Sequence, residues 1–375
     1  MNQIQSNGII LTRAQRLAGE LADFDVQALL VQSLTDVRYL SGFTGTNALV
    51  LVAAETGGEA LGGDRFLTDF RYVSQSEAQV PATFEREIVT GELLDAVPAL
   101  LHGGGGRLGF DDSQMTVRAC RRLEERLPDG WELVACPPLV PRLRAVKSEE
   151  EIDKLRVASQ IADEALSSLL EDGIVGRTER AVALDLELRL RRLGAESVAF
   201  PPIVASGAHG ALPHAEPREQ EIPRDVLVTI DWGACHEGYH SDCTRTYATG
   251  EGLSERSREV YELVLRAQEA GLAALMAGPS GPVLDAVARE IIEAAGHGEH
   301  FGHGLGHGVG LEIHEGPRLS RTAGPEPLLP GHVVTIEPGV YIPGELGVRI
   351  EDLAVVRDGG REVLTSLPKE LTVVS

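Results

Sequence analysis

Two short phrases of this chain carry a carboxylate in the same setting. Val228-Thr229-Ile230-Asp231-Trp232-Gly233 and Val334-Thr335-Ile336-Glu337-Pro338-Gly339 each run through β-branched residues to an acid and a turn signal, and each follows a proline, Pro223 or Pro330. Alternating β-branched residues predict half-buried strands, so Asp231 and Glu337 should stand at strand ends and face the same way as Thr229 and Thr335. A second acid follows each: Asp242 in His240-Ser241-Asp242-Cys243-Thr244-Arg245-Thr246, and Glu351 in Gly347-Val348-Arg349-Ile350-Glu351-Asp352. The pattern is an internal duplication that offers two acids on each of two antiparallel strand pairs. Four carboxylates converging on one cleft repel one another, an arrangement that makes sense when cations sit between them.

Between the duplicated strands lies Gly302-His303-Gly304-Leu305-Gly306-His307-Gly308-Val309-Gly310-Leu311-Glu312-Ile313-His314-Glu315. Glycine costs about 1 kcal/mol per helical position relative to alanine, so strand or loop is expected here. A glycine-rich turn with solvated histidines is the plain alternative. Three histidines close to four patterned carboxylates favour ligation instead, since neutral imidazole is the commonest nitrogen ligand. One of the three should complete the site. His303 and His307 share strand parity and His314 has the other, so a bulge or bend is needed for all three to face one cleft.

The elements that must hold these residues divide at a proline-rich stretch, Cys136-Pro137-Pro138-Leu139-Val140-Pro141, which is expected to be extended and to mark a domain junction. Ahead of it, residues 1–140 alternate short apolar runs (Ala28 to Val31, Ala48 to Ala53) with helix-like segments such as Arg118 to Leu127, as a small α/β domain does. In residues 141–375, Ser148 followed at the third position by Glu151 predicts a helix start. Further helices are expected over Thr178 to Leu193, Ser254 to Met276 and Pro282 to Ala295, with strands at 226–247 and 332–357. The order helix, helix, strand pair occurs twice, and two similar halves meeting at their strand edges would place the four acids at a shared seam.

Composition narrows the partners. With 57 Asp and Glu against 34 Lys and Arg, the formal charge of −23 argues against nucleic acid. The 375 residues suffice for two domains with ordinary cores. No run approaches a membrane span, and Met1 to Arg16 lacks an apolar core of signal-peptide length, so a cytoplasmic protein is expected. Cys120, Cys136, Cys235 and Cys243 form no CxxC pair, which fits reduced thiols, and Cys243 is read as a packing residue beside Asp242.

The pattern resembles the creatinase-fold metallopeptidases, the family of prolidase (Xaa-Pro dipeptidase), aminopeptidase P and methionine aminopeptidase, whose ligands come in the order Asp, Asp, His, Glu, Glu. The resemblance assigns those places to Asp231, Asp242, His307, Glu337 and Glu351, with Asp242 and Glu351 bridging. It matches His303 and His314 to two flanking histidines, and His214, in Ala211-Leu212-Pro213-His214, to an upstream histidine near the substrate. Ser41-Gly42-Phe43-Thr44-Gly45 and Leu67-Thr68-Asp69-Phe70-Arg71-Tyr72 are similar to the N-terminal domain that prolidases and aminopeptidase P have and methionine aminopeptidase lacks. Arg144-Ala145-Val146-Lys147-Ser148 resembles the entrance to the catalytic domain. The implied fold is a two-domain α/β chain: a small creatinase-type N-terminal domain and a C-terminal pita-bread domain with pseudo-twofold halves, forming a homodimer.

The implied chemistry is hydrolysis of the X-Pro bond in small proline-containing peptides by two divalent ions per chain. In such sites the ions lie about 3.5–4 Å apart and make a water nucleophilic near neutral pH. Oxygen-rich ligation suits manganese, with zinc or cobalt as alternatives. Glu337 resembles the residue that moves the proton from water to the leaving nitrogen, and His214 and His314 the groups that stabilise the oxyanion. His303 borders the substrate. Arg318, in His314-Glu315-Gly316-Pro317-Arg318, could pair with a substrate carboxylate; the alternative is a surface arginine. Arg349, two residues before Glu351 on the same strand face, should hold the metal carboxylates beside the substrate. An Xaa-Pro dipeptidase is the favoured reading. An Xaa-Pro aminopeptidase acting on longer peptides is the rival; a metal-free binding protein and metal-free creatine hydrolysis fit the complete acid set less well.

Overall fold

The computed structural model of the chain describes residues 11–55 and 58–375, with Gly58 and Glu59 by backbone alone. The first ten residues, on which much of the signal-peptide expectation rests, lie outside that range. Two compact units are present, Met1–Arg144 and Ala145–Ser375.

The first unit is built on a six-stranded mixed sheet. Its central strand Ala28–Val31 pairs antiparallel with Ala48–Ala53 and parallel with Gly106–Asp111. Arg65–Asp69 and Glu85–Val89 extend one side, Trp131–Cys136 the other. The two innermost runs are almost wholly apolar because both of their faces are covered. The prolines at 137, 138 and 141 do not make an extended junction: Leu139–Ala145 is a helix. Pro141 falls in its first turn, where a backbone N–H has no partner within the helix, so its missing donor costs nothing and its fixed φ suits the helix.

In the second unit Ser148 and Glu151 form a reciprocal capping box at the head of the 23-residue helix Glu149–Glu171. Helix Glu179–Arg192 follows, capped by Thr178. These pack on the antiparallel strands Ile203–Ser206, Leu227–Trp232 and Cys243–Ala248, and Val182, Leu186, Val228, Ile230 and Trp232 share one core. The order then repeats. Helices Glu255–Ala274 and Gly281–Ala294 precede a five-stranded sheet in the order Glu315–Leu319, Gly306–Gly308, Val333–Ile336, Asp352–Arg357, Gly360–Val363. Val264, Leu284, Leu305, Val334 and Ile336 belong to a second core. No helix among the described residues is long and apolar enough to cross a membrane.

Candidate metal centre

The duplicated phrases are paired strands, and their acids stand where the pairs end. Thr244 lies opposite Asp231 in the first half, with Asp242 just ahead of the strand. In the second, Ile336 lies opposite Asp352, so Glu337 and Glu351 sit immediately beyond the paired ends. Asp231, Asp242 and Glu351 each offer an oxygen within 4.8 Å of the others. His307 Nε2 lies 3.3 Å from Glu337 Oε1 and 3.6 Å from Asp242 Oδ2. All five residues line one cleft of about 760 Å³.

The seam between the halves is a ladder of hydroxyls. Thr244 Oγ1 donates to Glu351 Oε2 at 2.7 Å, and Thr246 Oγ1 to the Arg349 carbonyl at 2.9 Å. Buried Arg349 spreads its donors across both halves: Nε to Thr244 Oγ1 at 3.0 Å, Nη1 to Tyr341 Oη at 2.9 Å and to the Pro213 carbonyl at 3.1 Å, Nη2 to Asp231 Oδ2 at 2.6 Å.

Electrostatics mark this cluster as built for cations. Burial pushes the Asp242 and Glu351 carboxyls well above the ordinary range, and neighbouring carboxylates push them further: Glu351, Asp231 and Glu337 on Asp242, Glu337 and Asp231 on Glu351. Burial also raises Glu337, with His303 and Arg349 pulling partly back. Asp231 Oδ1 is buried without a hydrogen-bond partner. A buried orphan acceptor is costly, and a divalent ion satisfies it. Four carboxylates, one already facing Arg349, and one imidazole form an oxygen-rich donor set suited to divalent cations.

The histidine segment reaches the acids through a short strand with a register shift. Gly306–Gly308 pairs with both Glu315–Leu319 and Val333–Ile336, and the ladder slips between His307 and Gly308. The opposed parities of His307 and His314 are resolved by a bend: residues 309–314 turn the chain back into the antiparallel strand Glu315–Leu319, and the two rings lie 4.3 Å apart. A β-carbon on Gly306 would come 2.0 Å from the Thr335 carbonyl oxygen, so only glycine allows this approach. Burial lowers the pKa of His307 and keeps it neutral. Its Nδ1–H donates to the Gly308 carbonyl at 3.0 Å, leaving the Nε2 lone pair facing Glu337 and Asp242. His303 is also held neutral by burial. Its Nδ1–H donates to the Gly304 carbonyl at 2.8 Å while Nε2 accepts from Tyr341 Oη at 2.9 Å, so it lines the cleft with both nitrogens engaged. His214, His314 and Arg318 line the same cleft.

Several residues that shape the site give no signal in the sequence. Asp285 and Arg289, one helical turn apart and buried, pair at 2.6 Å. Arg289 donates to the carbonyls of Phe301 at 2.8 Å and His303 at 2.7 Å, and Asp285 Oδ1 accepts from the Leu305 amide at 3.0 Å. Fully buried Glu179 accepts from Ser206, His209 and Arg218 around the loop that carries His214. An i,i+4 acid and base on a helix read equally well as a surface pair. Cys243 is buried, its thiol turned to the Glu351 carbonyl, and all four cysteines are free.

Residues 153–358 match metallopeptidase family M24, and residues 13–146 the creatinase/prolidase N-terminal domain. An Xaa-Pro dipeptidase of Pyrococcus horikoshii is 44% identical over 352 residues, 92% of this chain and 94% of that one. The solved structure of an Xaa-Pro dipeptidase from Bacillus anthracis superposes with a TM-score of 0.89 at 38% identity, covering 96% of this chain and 98% of its own. That of an X-Pro aminopeptidase from Thermotoga maritima gives 0.83 at 35% identity, covering 93% and 98%.

Proposed function

This chain belongs to metallopeptidase family M24, and on that premise we propose that it is an Xaa-Pro dipeptidase whose divalent ions are held by Asp231, Asp242, His307, Glu337 and Glu351. The observation that carries the reading is the convergence of the five donors on one cleft, with the orphaned Asp231 Oδ1 among them. Manganese is the favoured ion, because the donors are mostly carboxylate oxygens; zinc and cobalt tolerate the same set. When bound, two such ions polarise the scissile carbonyl and lower the pKa of water.

The chain's own residues do the rest. Glu337, raised by burial, takes the proton from the attacking water and delivers it to the proline nitrogen. An X-Pro bond is a tertiary amide without N–H for the enzyme to grip, and its nitrogen leaves as an amine only by gaining a proton, the one Glu337 carries over from the attacking water. His214 and His314 donate to the oxygen on which charge develops. His303 forms a wall of the substrate pocket, its nitrogens being already engaged. Arg349 holds Asp231 in place from behind. Arg318 pairs with the proline carboxylate, which is present only when proline ends the peptide.

Purified protein given manganese should cleave Ala-Pro and lose that activity on chelation. Glu337→Gln should cut turnover by something on the order of a hundredfold or more. Full activity of metal-depleted protein would overturn the metal assignment. Better hydrolysis of Ala-Pro-Ala than of Ala-Pro would make the chain an Xaa-Pro aminopeptidase with the same machinery.

A further inference from the structure

We propose that Glu216 is a specificity-determining residue that recognises a cationic group on the substrate, an inference that rests on the X-Pro peptidase reading above. The charges lining the cleft lead to it. Asp231, Asp242, Glu337 and Glu351 are the proposed ligands, and Arg349 is spent on Asp231 and its neighbours. Glu315 is paired with Lys147 at 2.6 Å, both side chains almost fully buried. Two charged side chains of the lining then remain, Glu216 and Arg318. Both are exposed, and neither has an ion-pair partner among the described residues. A dipeptide at neutral pH is a zwitterion. The cleft thus presents one free guanidinium and one free carboxylate to a ligand with one carboxylate and at least one ammonium.

Glu216 is also placed as a recognition group has to be. The segment around it is pinned on both sides by buried polar groups: the Pro213 carbonyl accepts from Arg349 Nη1 at 3.1 Å, and the Arg218 amide and Nε donate to Glu179 Oε2 at 3.2 and 3.3 Å. Pro213 and Pro217 fix two backbone torsions between those anchors. The backbone of such a segment gives up little conformational freedom when the carboxylate meets a partner, so that only the side chain of Glu216 has to be ordered. An exposed acid on a loose loop would be swept through solvent and select nothing. The same segment carries His214, so Glu216 is tied to the reacting centre by two peptide units.

The cation can be the substrate's terminal ammonium or a basic side chain on its first residue, and one experiment separates them. For wild-type and Glu216→Gln protein loaded with manganese, kcat/KM is measured for Lys-Pro against Met-Pro, of similar length without the charge, and for Ala-Pro against lactoyl-proline, which has a hydroxyl in place of the ammonium. Wild-type protein should favour the cationic member, and Glu216→Gln should shrink the preference by about three- to fivefold, the size of an exposed ion pair. A fall in the first ratio assigns Glu216 to the side chain, a fall in the second to the amino group. Glu216→Lys should carry the affected ratio further in the same direction. Both ratios unchanged in both variants would overturn the inference while leaving the peptidase reading intact. Failure of wild-type protein to cleave any of the X-Pro dipeptides would instead sink that reading, and with it the role of Glu216.

Discussion

The two halves of the second unit are built alike and used differently. Each has two helices, a strand ending at an acid and a second strand beginning beside another. Each also places an acid near the start of its second helix to fix the loop that delivers histidines: Glu179 at the head of Glu179–Arg192, and Asp285 in Gly281–Ala294. The halves part at the strand that flanks the first acid-bearing one. In the second half this is Gly306–Gly308, which brings His307 to the cluster. In the first it is Ile203–Ser206, Ile-Val-Ala-Ser, which has no imidazole or carboxylate to offer. The duplication therefore supplies a symmetrical frame of four acids, and one strand breaks the symmetry. The acids are in turn held from the opposite half, Asp231 by Arg349 and Glu351 by Thr244. Neither half carries a finished site.

The sharpest way to break this comparison is to remove the two loop-holding acids in parallel. Asp285→Asn leaves the buried Arg289 guanidinium without its counter-charge and should cost about 3–5 kcal/mol. Glu179→Gln leaves Arg218, which is half exposed and can turn to water, so its cost should be nearer about 1.5–3 kcal/mol of lost charged hydrogen bonds. Urea unfolding of the two variants checks this. Equal losses, or a greater loss for Glu179→Gln, would mean that the two devices are not distinguished by burial as argued.

A second contrast lies where the duplicated strands begin. In the residue equivalence of the two phrases, Val226 corresponds to His332. Val226 cannot titrate, whereas burial, aided by Lys147, drives His332 from 6.5 down to about 4. The neutral ring accepts from the Leu329 amide at 3.2 Å. Between those two values the unfolded chain holds a proton that the folded chain refuses. This group's contribution is therefore full above about pH 6.5, declines as pH falls toward 4, and is flat below, a loss on the order of 3 kcal/mol. His332→Gln should show a correspondingly weaker acid dependence of urea unfolding than wild type. The same slope in both proteins would show that His332 is not held neutral in the fold.

Much of the centre could be read in the sequence because its residues repeat a local pattern. Val-Thr-Ile followed by an acid specifies a strand, a face and an end, so Asp231 and Glu337 declare themselves without any tertiary knowledge. Parity asks for a bulge or a bend between His307 and His314, and the turn at 309–314 is that bend. The loop-holding pairs could not be read this way: Asp285 meets Leu305, and Glu179 meets Arg218, across stretches whose course only the folded chain determines. Tyr341 is similarly one tyrosine in an apolar strand until the fold sets it between His303 and Arg349. The helix Leu139–Ala145 is hidden in the sequence for a simpler reason. Proline signals a break in the middle of a helix but is welcome in its first turn, and composition does not say where the first turn is.

The finest test of the comparison concerns the hydroxyls behind the acids. Thr244 donates to Glu351 across the seam at 2.7 Å and accepts from Arg349; Thr335 donates to Glu337 within its own half at 3.1 Å and accepts from the His307 amide at 3.0 Å. Valine has nearly the shape of threonine without the hydroxyl, so Thr244→Val removes the partner of Glu351 and of Arg349, and Thr335→Val that of Glu337 and of the His307 amide. Removing such support weakens metal binding by roughly ten- to a hundredfold. Thr244→Val should fall within that range, because its bond is the shorter and its loss also releases a donor of Arg349, which orients Asp231. Thr335→Val should cost less, about a fewfold, since its bond to Glu337 is the longer at 3.1 Å and Arg349 keeps all of its partners. Chelator competition on manganese-loaded protein measures both. A larger effect at Thr335 would mean that each half orients its own acids, and that the cross-seam contacts follow from the packing rather than govern the site.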